Sequence, residues 1–150
     1  MKKSIVSAVT APLFLVGLMA TTTSYAAELP VMTVYKSPTC RCCTKWVNYM
    51  RKQGFEVKAQ DMKDLKSIKS ISGVKREFAS CHTATVGGYI VEGHVPAADV
   101  KRILAEKPEA KGITAPGMPM GSPGMEGPRK DKYQVLTFDE KGISGVYANH

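Results

Sequence analysis

The chain has 150 residues and a formal net charge of +8, with 21 Lys and Arg against 13 Asp and Glu. Its basic residues are scattered and lack the interleaved aromatic residues of a nucleic-acid surface, so no nucleic-acid partner is expected. The length gives one ordinary domain, whose core is large enough not to need its four cysteines as disulfide staples.

The first 26 residues have the pattern of an export signal. Two lysines precede an apolar stretch from about Ile5 to Ala20, and small polar residues lead to Ala26. The stretch includes Ser, Thr, Pro and Gly and falls short of the roughly 20 apolar residues that span a membrane. We therefore expect a cleaved signal at 1–26 and one mature domain at 27–150 that is not stably inserted in a membrane; an uncleaved anchor is the alternative.

Strand and helix patterns alternate after the signal. Residues 31–35 are β-branched and aromatic, which predicts a strand, and apolar positions three and four apart predict a helix over 43–54. Residues 55–59 alternate between apolar and polar as a second strand does. Residues 61–71 are rich in lysine and carry a narrow apolar stripe, which predicts a second helix.

A hairpin and a third helix come next. Two β-prone runs within residues 83–92 flank a Gly-Gly pair, the pattern of a two-residue hairpin turn. Pro96 begins a helix that stops at 107–108. The order strand, helix, strand, helix, hairpin, helix is that of a thioredoxin-like domain, an α/β fold whose mixed sheet is covered by helices on both faces.

Residues 112–130 interrupt this pattern with repeated Gly and Pro, which predicts an irregular loop. Residues 133–138 and 143–147 then predict a C-terminal hairpin. Three methionines lie in the loop: Met118, Met120 and Met125. Thioethers are soft ligands that suit monovalent copper, but methionine also fills packing gaps, so the loop either binds metal or only packs over a site.

Three of the four cysteines fall within four residues, at the predicted start of the first helix: Cys40, Cys42 and Cys43. The spacing of Cys40 and Cys43 is that of thiol redox sites, and a helix N-terminus favours the thiolate. Thiolate attacks disulfides and also binds soft metals. Cys42 would compete in dithiol exchange, whereas a cluster of thiolates suits monovalent copper and, as the weaker alternative, zinc. Two static disulfides are the structural alternative.

The predicted hairpin brings the fourth cysteine into the same question. Counting outward from its turn places Cys81 opposite His94, and opposed residues have Cβ atoms about 4.5–5.5 Å apart. Their sulfur and imidazole could therefore share one ion. Alternation along the strand predicts that His82 points to the other face, and its role as a ligand stays open.

Four motifs in the same order give the chain a specific resemblance to one family over residues 31–148. They are Cys40-Arg41-Cys42-Cys43, Ser80-Cys81-His82-Thr83, Val91-Glu92-Gly93-His94-Val95-Pro96 and the run from Gly117 to Glu126. The chain resembles a family long labelled as a domain of unknown function, which includes the periplasmic copper-resistance proteins called CopG. The resemblance implies a thioredoxin-like fold, binding of monovalent copper and a role in copper redox handling. In ordinary thioredoxin-like folds the loop before the hairpin carries a cis-proline, which excludes metals. At that place this chain has Ser80-Cys81-His82, which offers potential ligands instead.

The resulting hypothesis is a periplasmic protein of copper tolerance that binds one or more monovalent copper ions and couples this to thiol redox. Its partners would be copper ions and periplasmic copper-efflux or redox proteins. The alternative is an enzyme, a thiol–disulfide oxidoreductase in which Cys40 attacks and Cys43 resolves. The predicted metal ligands are Cys40, Cys42, Cys43, Cys81 and His94.

Overall fold

The structure is a computed structural model that describes residues 28–150, so the predicted export signal at 1–26 lies outside the described residues. Its strands are β1 (Met32–Lys36), β2 (Val57–Asp61), β3 (His82–Val86), β4 (Tyr89–Gly93), β5 (Gly112–Ala115), β6 (Gln134–Phe138) and β7 (Ile143–Asn149). Its helices are α1 (Arg41–Lys52), α2 (Lys66–Ile71) and α3 (Ala97–Glu106), with a short 3₁₀ helix at Arg76–Phe78.

All seven strands form a single mixed sheet in the order β2-β1-β3-β4-β5-β6-β7. Strand β1 is parallel to β2 and antiparallel to β3, β4 is parallel to β5, and the remaining neighbours are antiparallel. The mixed α/β sheet that the sequence predicted is therefore confirmed, with the element order strand, helix, strand, helix, hairpin, helix in its first part.

Alternation along β3 shows that helices cover both faces of this sheet. Ala84 and Val86 point into the main hydrophobic core, which also contains buried side chains of α1 and α3. Thr83, one position out of phase, faces the opposite side, where its hydroxyl lies 3.1 Å from the Lys69 ammonium of α2. Because side chains alternate in a strand, α1 and α3 lie on one face and α2 on the other.

Helix α1 forms where its apolar spacing predicts. Trp46, Val47 and Met50 are buried on one side of the helix, and Cys40 is its N-cap residue. The Cys40 sulfur accepts a hydrogen bond from the Cys43 amide at 3.3 Å. The predicted placement of the cysteine cluster at a helix N-terminus is therefore confirmed.

The predicted irregular loop begins later than the sequence suggested. Residues 112–115 form β5, between β4 and β6, so that part of the prediction was wrong. Gly112 does not interrupt regular structure. It lets the backbones of β4 and β5 approach closely, because a Cβ at this position would lie 2.2 Å from the carbonyl oxygen of Ile90. Residues 116–133 form the loop that connects β5 to β6.

The two elements between α1 and the first hairpin, β2 and α2, are shifted or shortened relative to the prediction. The second strand covers 57–61 rather than 55–59, and the second helix covers only 66–71. The Asp64 carboxylate accepts a hydrogen bond from the Lys66 amide at 2.9 Å, so one of the unpaired amides at the start of α2 has a partner.

Both predicted hairpins are present. Gly87 and Gly88 have φ values of +55° and +87°, the left-handed conformation that a two-residue hairpin turn of type I′ needs at both positions. Strands β6 and β7 form the C-terminal hairpin. Within residues 28–150 no helix has the length and apolar character needed to cross a membrane.

Candidate metal centre

The helix side of the candidate site is formed by Cys40, Cys42 and Cys43 at the start of α1. Cys40 and Cys43 are joined by a disulfide, and Cys42 is a free thiol whose sulfur lies 3.4 Å from the Cys40 sulfur. Cys43 is fully buried, whereas Cys40 and Cys42 are half-buried. The CxxC pair is therefore closed, and the third cysteine stays available beside it.

The hairpin side of the site is formed by Cys81 and His94, which lie just beyond the ends of β3 and β4. The strands pair Val86 with Tyr89 and Thr83 with Glu92, the register that the sequence predicted. The Cys81 sulfur lies 3.0 Å from His94 Nε2. The hairpin therefore brings together the thiol and imidazole as expected from their opposed positions.

A backbone carbonyl fixes the orientation of the His94 ring. His94 Nδ1 lies 2.8 Å from the carbonyl oxygen of Pro123, which can only accept a hydrogen bond. Nδ1 therefore carries the hydrogen and donates it, and the Nε2 lone pair faces Cys81. Metal-binding histidines are commonly oriented in this way, by donating the other ring N–H to a carbonyl or carboxylate.

The protonation states favour a neutral pair in the metal-free protein. Burial raises the pKa of the Cys81 thiol to about 12, and the neighbouring Cys42 sulfur adds to this shift. Burial also lowers the pKa of His94, against the opposing effects of the Pro123 carbonyl and the Glu126 carboxylate. Cys81 is therefore a thiol at neutral pH, and a soft metal binding there would displace its proton.

His82 does not point away from the site, as strand alternation had predicted. Its Nδ1 lies 3.5 Å from the Cys81 sulfur, and its ring packs on Trp46 with centroids 4.4 Å apart. That prediction was wrong because β3 begins at His82, so Cys81 precedes the strand and does not follow its alternation. Burial lowers the pKa of His82 well below its usual value, with smaller effects from His94 and Lys69.

The helix and hairpin sides meet around Cys81. Its sulfur lies 3.9 Å from that of Cys42. One donor group contains Cys40, Cys42, Cys43 and Cys81, and a second contains Cys81, His82 and His94; in each, the donor atoms lie within 4.8 Å of one another. All five predicted ligands are thus brought together. Thiol and imidazole donors in such a cluster suit monovalent copper or zinc.

The loop over the site contributes backbone and, at its edge, methionine side chains. Met120 and Met125 line a shallow cavity of 350 Å³ that also touches Cys42, whereas Met118 is 53% exposed. Gly124 has φ +86°, and a Cβ there would lie 2.8 Å from the Cys42 carbonyl oxygen and 3.2 Å from His94 Nδ1. The loop therefore packs its backbone directly against both sides of the site.

Sequence reasoning missed a buried polar cluster under the hairpin. The Glu92 carboxylate accepts hydrogen bonds from Lys69 Nζ at 2.5 Å, from the Ser80 amide at 2.6 Å and from the Thr83 hydroxyl at 2.7 Å. The hairpin register already placed Glu92 opposite Thr83, which was a usable signal. The lysine comes from α2, so its approach depends on tertiary packing.

The fold and the site together define a mixed α/β protein with a cysteine and histidine cluster of the kind that binds soft metals. A comparison with curated proteins gives no match. The family described as "Protein of unknown function, DUF411" matches residues 78–125. This segment includes Cys81, His94 and the three methionines of the loop.

Two solved structures are similar to the chain over almost their whole length. "Copper resistance protein copG- Form 2" is 40% identical, with 82% of this chain and 98% of that chain covered and a TM-score of 0.77. "Copper resistance protein copG- Form 1" is also 40% identical, with 81% and 98% covered and a TM-score of 0.75. The chain therefore belongs to the CopG family of copper resistance proteins, as its motifs predicted.

Proposed function

We propose that the protein binds monovalent copper through Cys40, Cys42, Cys43, Cys81 and His94, as an exported periplasmic protein of copper tolerance. The observation that carries this proposal is the convergence of four sulfurs and one oriented imidazole nitrogen at a single place. The copper-resistance names of the two similar structures support the choice of metal.

The chemistry of the donors also favours copper in its monovalent state. Thiolate and thioether sulfur are soft ligands that select monovalent copper over harder cations. A thiolate can also bridge two ions, so a cluster of four cysteines can hold more than one. Met120 and Met125, at the edge of the same cavity as Cys42, offer further soft donors to an incoming ion.

An anaerobic copper titration of the fully reduced protein tests this proposal. With all four thiols counted before the titration, the protein should bind at least one monovalent copper ion and compete with a strong chromophoric chelator. Cys42→Ser should lower the affinity or the stoichiometry. Thr39→Ser, next to the cluster but bearing no sulfur, is the matched control and should change neither. Absence of monovalent copper binding would show that the proposal is wrong.

The cluster also supports a link between copper and thiol redox states. The disulfide joins Cys40 and Cys43 while Cys42 and Cys81 remain thiols. In the fully reduced protein, exchange of Cys40 and Cys43 with the disulfide of a redox partner would form the Cys40–Cys43 bond and transfer two electrons to the partner, whose disulfide becomes two thiols. The protein would then lose two of its four sulfur ligands and bind copper less tightly.

The same disulfide favours a second candidate function, a thiol–disulfide oxidoreductase. Cys40, at the helix N-terminus and partly exposed, would attack a substrate disulfide, and the buried Cys43 would resolve the mixed disulfide. Cys42→Ser separates the two functions. Dithiol exchange should survive this substitution, measured as reduction of a small disulfide substrate, whereas copper binding should not remain intact.

A further inference from the structure

We propose that Glu92 is a positioning residue: paired with Lys69, it holds the Ser80 amide and thereby sets the place of Cys81 and of the methionine-bearing loop. This inference rests on the proposed function, since it concerns the geometry of the copper ligands. Glu92 itself belongs to neither donor group among the described residues; its carboxylate contacts Lys69, Ser80 and Thr83 instead.

Glu92 is fully buried, and both oxygens of its carboxylate accept hydrogen bonds. Oε1 accepts from Lys69 Nζ and from the Ser80 amide, and Oε2 accepts from the Thr83 hydroxyl. The Glu92 side chain is 0% exposed and that of Lys69 is 17% exposed. A buried ion pair is a poor source of net stability, because desolvation offsets its attraction. Its presence here is better explained by the specific geometry that it imposes.

Ser80 carries this geometry to two segments. Its backbone continues directly into Cys81, and its side-chain hydroxyl donates to the carbonyl oxygen of Gly117. Ser80 and Gly117 also form an isolated parallel β-bridge, and the Gly117 amide donates to the Ala79 carbonyl at 3.2 Å. Gly117 is the second residue of the loop 116–133, which bears the methionines and the Pro123 carbonyl. The ion pair therefore supports both the hairpin side and the loop.

Gly93, the residue after Glu92, lets the end of β4 pack closely against Ser80. Gly93 has φ +76°, and a Cβ there would lie 2.5 Å from Ser80 Cβ and 2.8 Å from the Ala115 carbonyl oxygen. The backbone between Glu92 and His94 thus packs directly against Ser80. A displacement of Ser80 would be transmitted to Cys81 through one peptide unit and to His94 through this contact.

Copper affinity in Glu92→Gln tests the inference, with Asp61→Asn as the matched control. Glutamine can keep its carbonyl oxygen on the Ser80 amide while its NH2 group donates to the Thr83 hydroxyl oxygen, but it removes the charge that holds Lys69. We expect an affinity loss of about 10-fold or more, the usual cost of losing a group that orients a ligand. Asp61 pairs with Lys36 at 2.6 Å but is 56% exposed on an edge strand. Asp61→Asn should change affinity by less than about twofold.

A double substitution separates positioning from a general loss of structure. If Glu92 acts largely through Cys81, Glu92→Gln should cost less copper affinity once Cys81→Ser is present, because the main ligand that it positions is gone. A loss of the same size in both backgrounds would overturn the inference.

A measurement without copper keeps this inference separable from the proposed function. In the form with the Cys40–Cys43 disulfide, only Cys42 and Cys81 can be alkylated among the described cysteines. In Glu92→Gln, alkylation of Cys81 by N-ethylmaleimide should accelerate several-fold relative to Cys42, since loss of the ion pair with Lys69 leaves the side chain at position 92, and the Ser80 amide that it holds, less firmly fixed. An unchanged ratio would contradict the inference, whether or not wild-type protein binds copper.

A second variant covers the case in which Glu92→Gln does not fold. Lys69→Gln removes the other partner of the pair, at a position that is partly exposed, and leaves the buried Glu92 carboxylate without the cation that fixes its position against Ser80. It should raise the ratio of Cys81 to Cys42 alkylation in the same direction. A folded Lys69→Gln protein with the wild-type ratio would overturn the role of the pair.

Discussion

Cys42 and Cys81 are the two free thiols of the site, and they reach it by different routes. Cys42 is placed by local sequence, within the first turn of α1 and between two cysteines that are joined to each other. Cys81 is placed by the pairing of β3 with β4, by the Glu92 contact to Ser80 and by the two buried histidines. The helix side depends on spacing along the chain, whereas the hairpin side depends on the whole sheet.

This difference explains which part of the site responds to distant substitutions. A helix N-terminus presents its side chains and free amides wherever the helix forms. The hairpin side needs long-range contacts to stay in register. We therefore expect changes in the core and in the loop to affect Cys81 and His94 before they affect Cys40 and Cys43.

Trp46→Ala should have the largest effect on stability, because this side chain of α1 connects the helix side of the site to the hairpin side. Its ring is fully buried against His82, and its Nε1 donates to the Val95 carbonyl at 2.9 Å. We expect the free energy of unfolding to fall by about 3–5 kcal/mol, measured by urea denaturation of the metal-free protein. Met118→Ala, at an exposed position, should stay within about 0.5 kcal/mol of wild type. Equal effects of the two substitutions would contradict this account.

Cys81→Ser should be the next most damaging change, now measured as copper affinity. Cys81 belongs to both donor groups, whereas Cys40 belongs to one. Loss of an orienting group alone typically costs about 10- to 100-fold in metal affinity, so loss of this shared ligand should exceed about 100-fold. Cys40→Ser should cost less in the same anaerobic competition titration. If the two serine variants bind copper equally well, the hairpin side has no greater weight than the helix side.

Gly124→Ala tests how the loop is held against both sides, with Gly117→Ala as its control. Both glycines have positive φ, so both substitutions cost about 1–3 kcal/mol of backbone strain. Only Gly124 is also in close contact, with a Cβ position 2.9 Å from the Trp46 amide nitrogen; at Gly117 nothing lies within 4 Å. Gly124→Ala should therefore lower both stability and copper affinity further than Gly117→Ala. Thermal unfolding and copper titration of the two variants make this comparison.

The smallest expected effect is a loss of stability in acid that comes from the hairpin side. Burial lowers the pKa of both His82 and His94, so the folded state binds fewer protons than the unfolded state. Unfolded histidine titrates near 6.5, so the free energy of unfolding of the metal-free protein should fall as the pH drops below about 6.5 and until the lowered pKa values are passed. Each histidine contributes at most about 1.4 kcal/mol per pH unit.

Urea denaturation over this pH range measures the slope. His82→Leu removes one of the two titrating groups while keeping an apolar contact to Trp46. The slope below about pH 6.5 should then decrease by up to about 1.4 kcal/mol per pH unit, and a slope identical to that of wild type would show that His82 is not the group responsible.

Features set by short-range rules could be predicted from the sequence. The apolar spacing of Trp46, Val47 and Met50 predicted α1, and the Gly87-Gly88 turn fixed the register that opposes Cys81 and His94. These predictions depend only on helical periodicity and on the pairing of a two-residue hairpin.

Features set by tertiary packing could not be predicted in the same way. The strand at Gly112–Ala115 forms because glycine lets the backbone approach the Ile90 carbonyl, a contact that sequence patterns do not contain. The ion pair of Lys69 and Glu92 joins a helix to the opposite face of the hairpin. His82 was assigned to the wrong side because the start of β3 was not known.

The position of Cys81 in both donor groups has a consequence for how the site would fill. Two ions that share one bridging sulfur cannot bind independently, because the first sets the protonation and the orientation of the ligand that the second must use. Occupancy would then be cooperative or anticooperative, and an isotherm built from independent sites would fail to fit it. In such a protein the sulfur between the two groups would determine the Hill coefficient as well as the affinity.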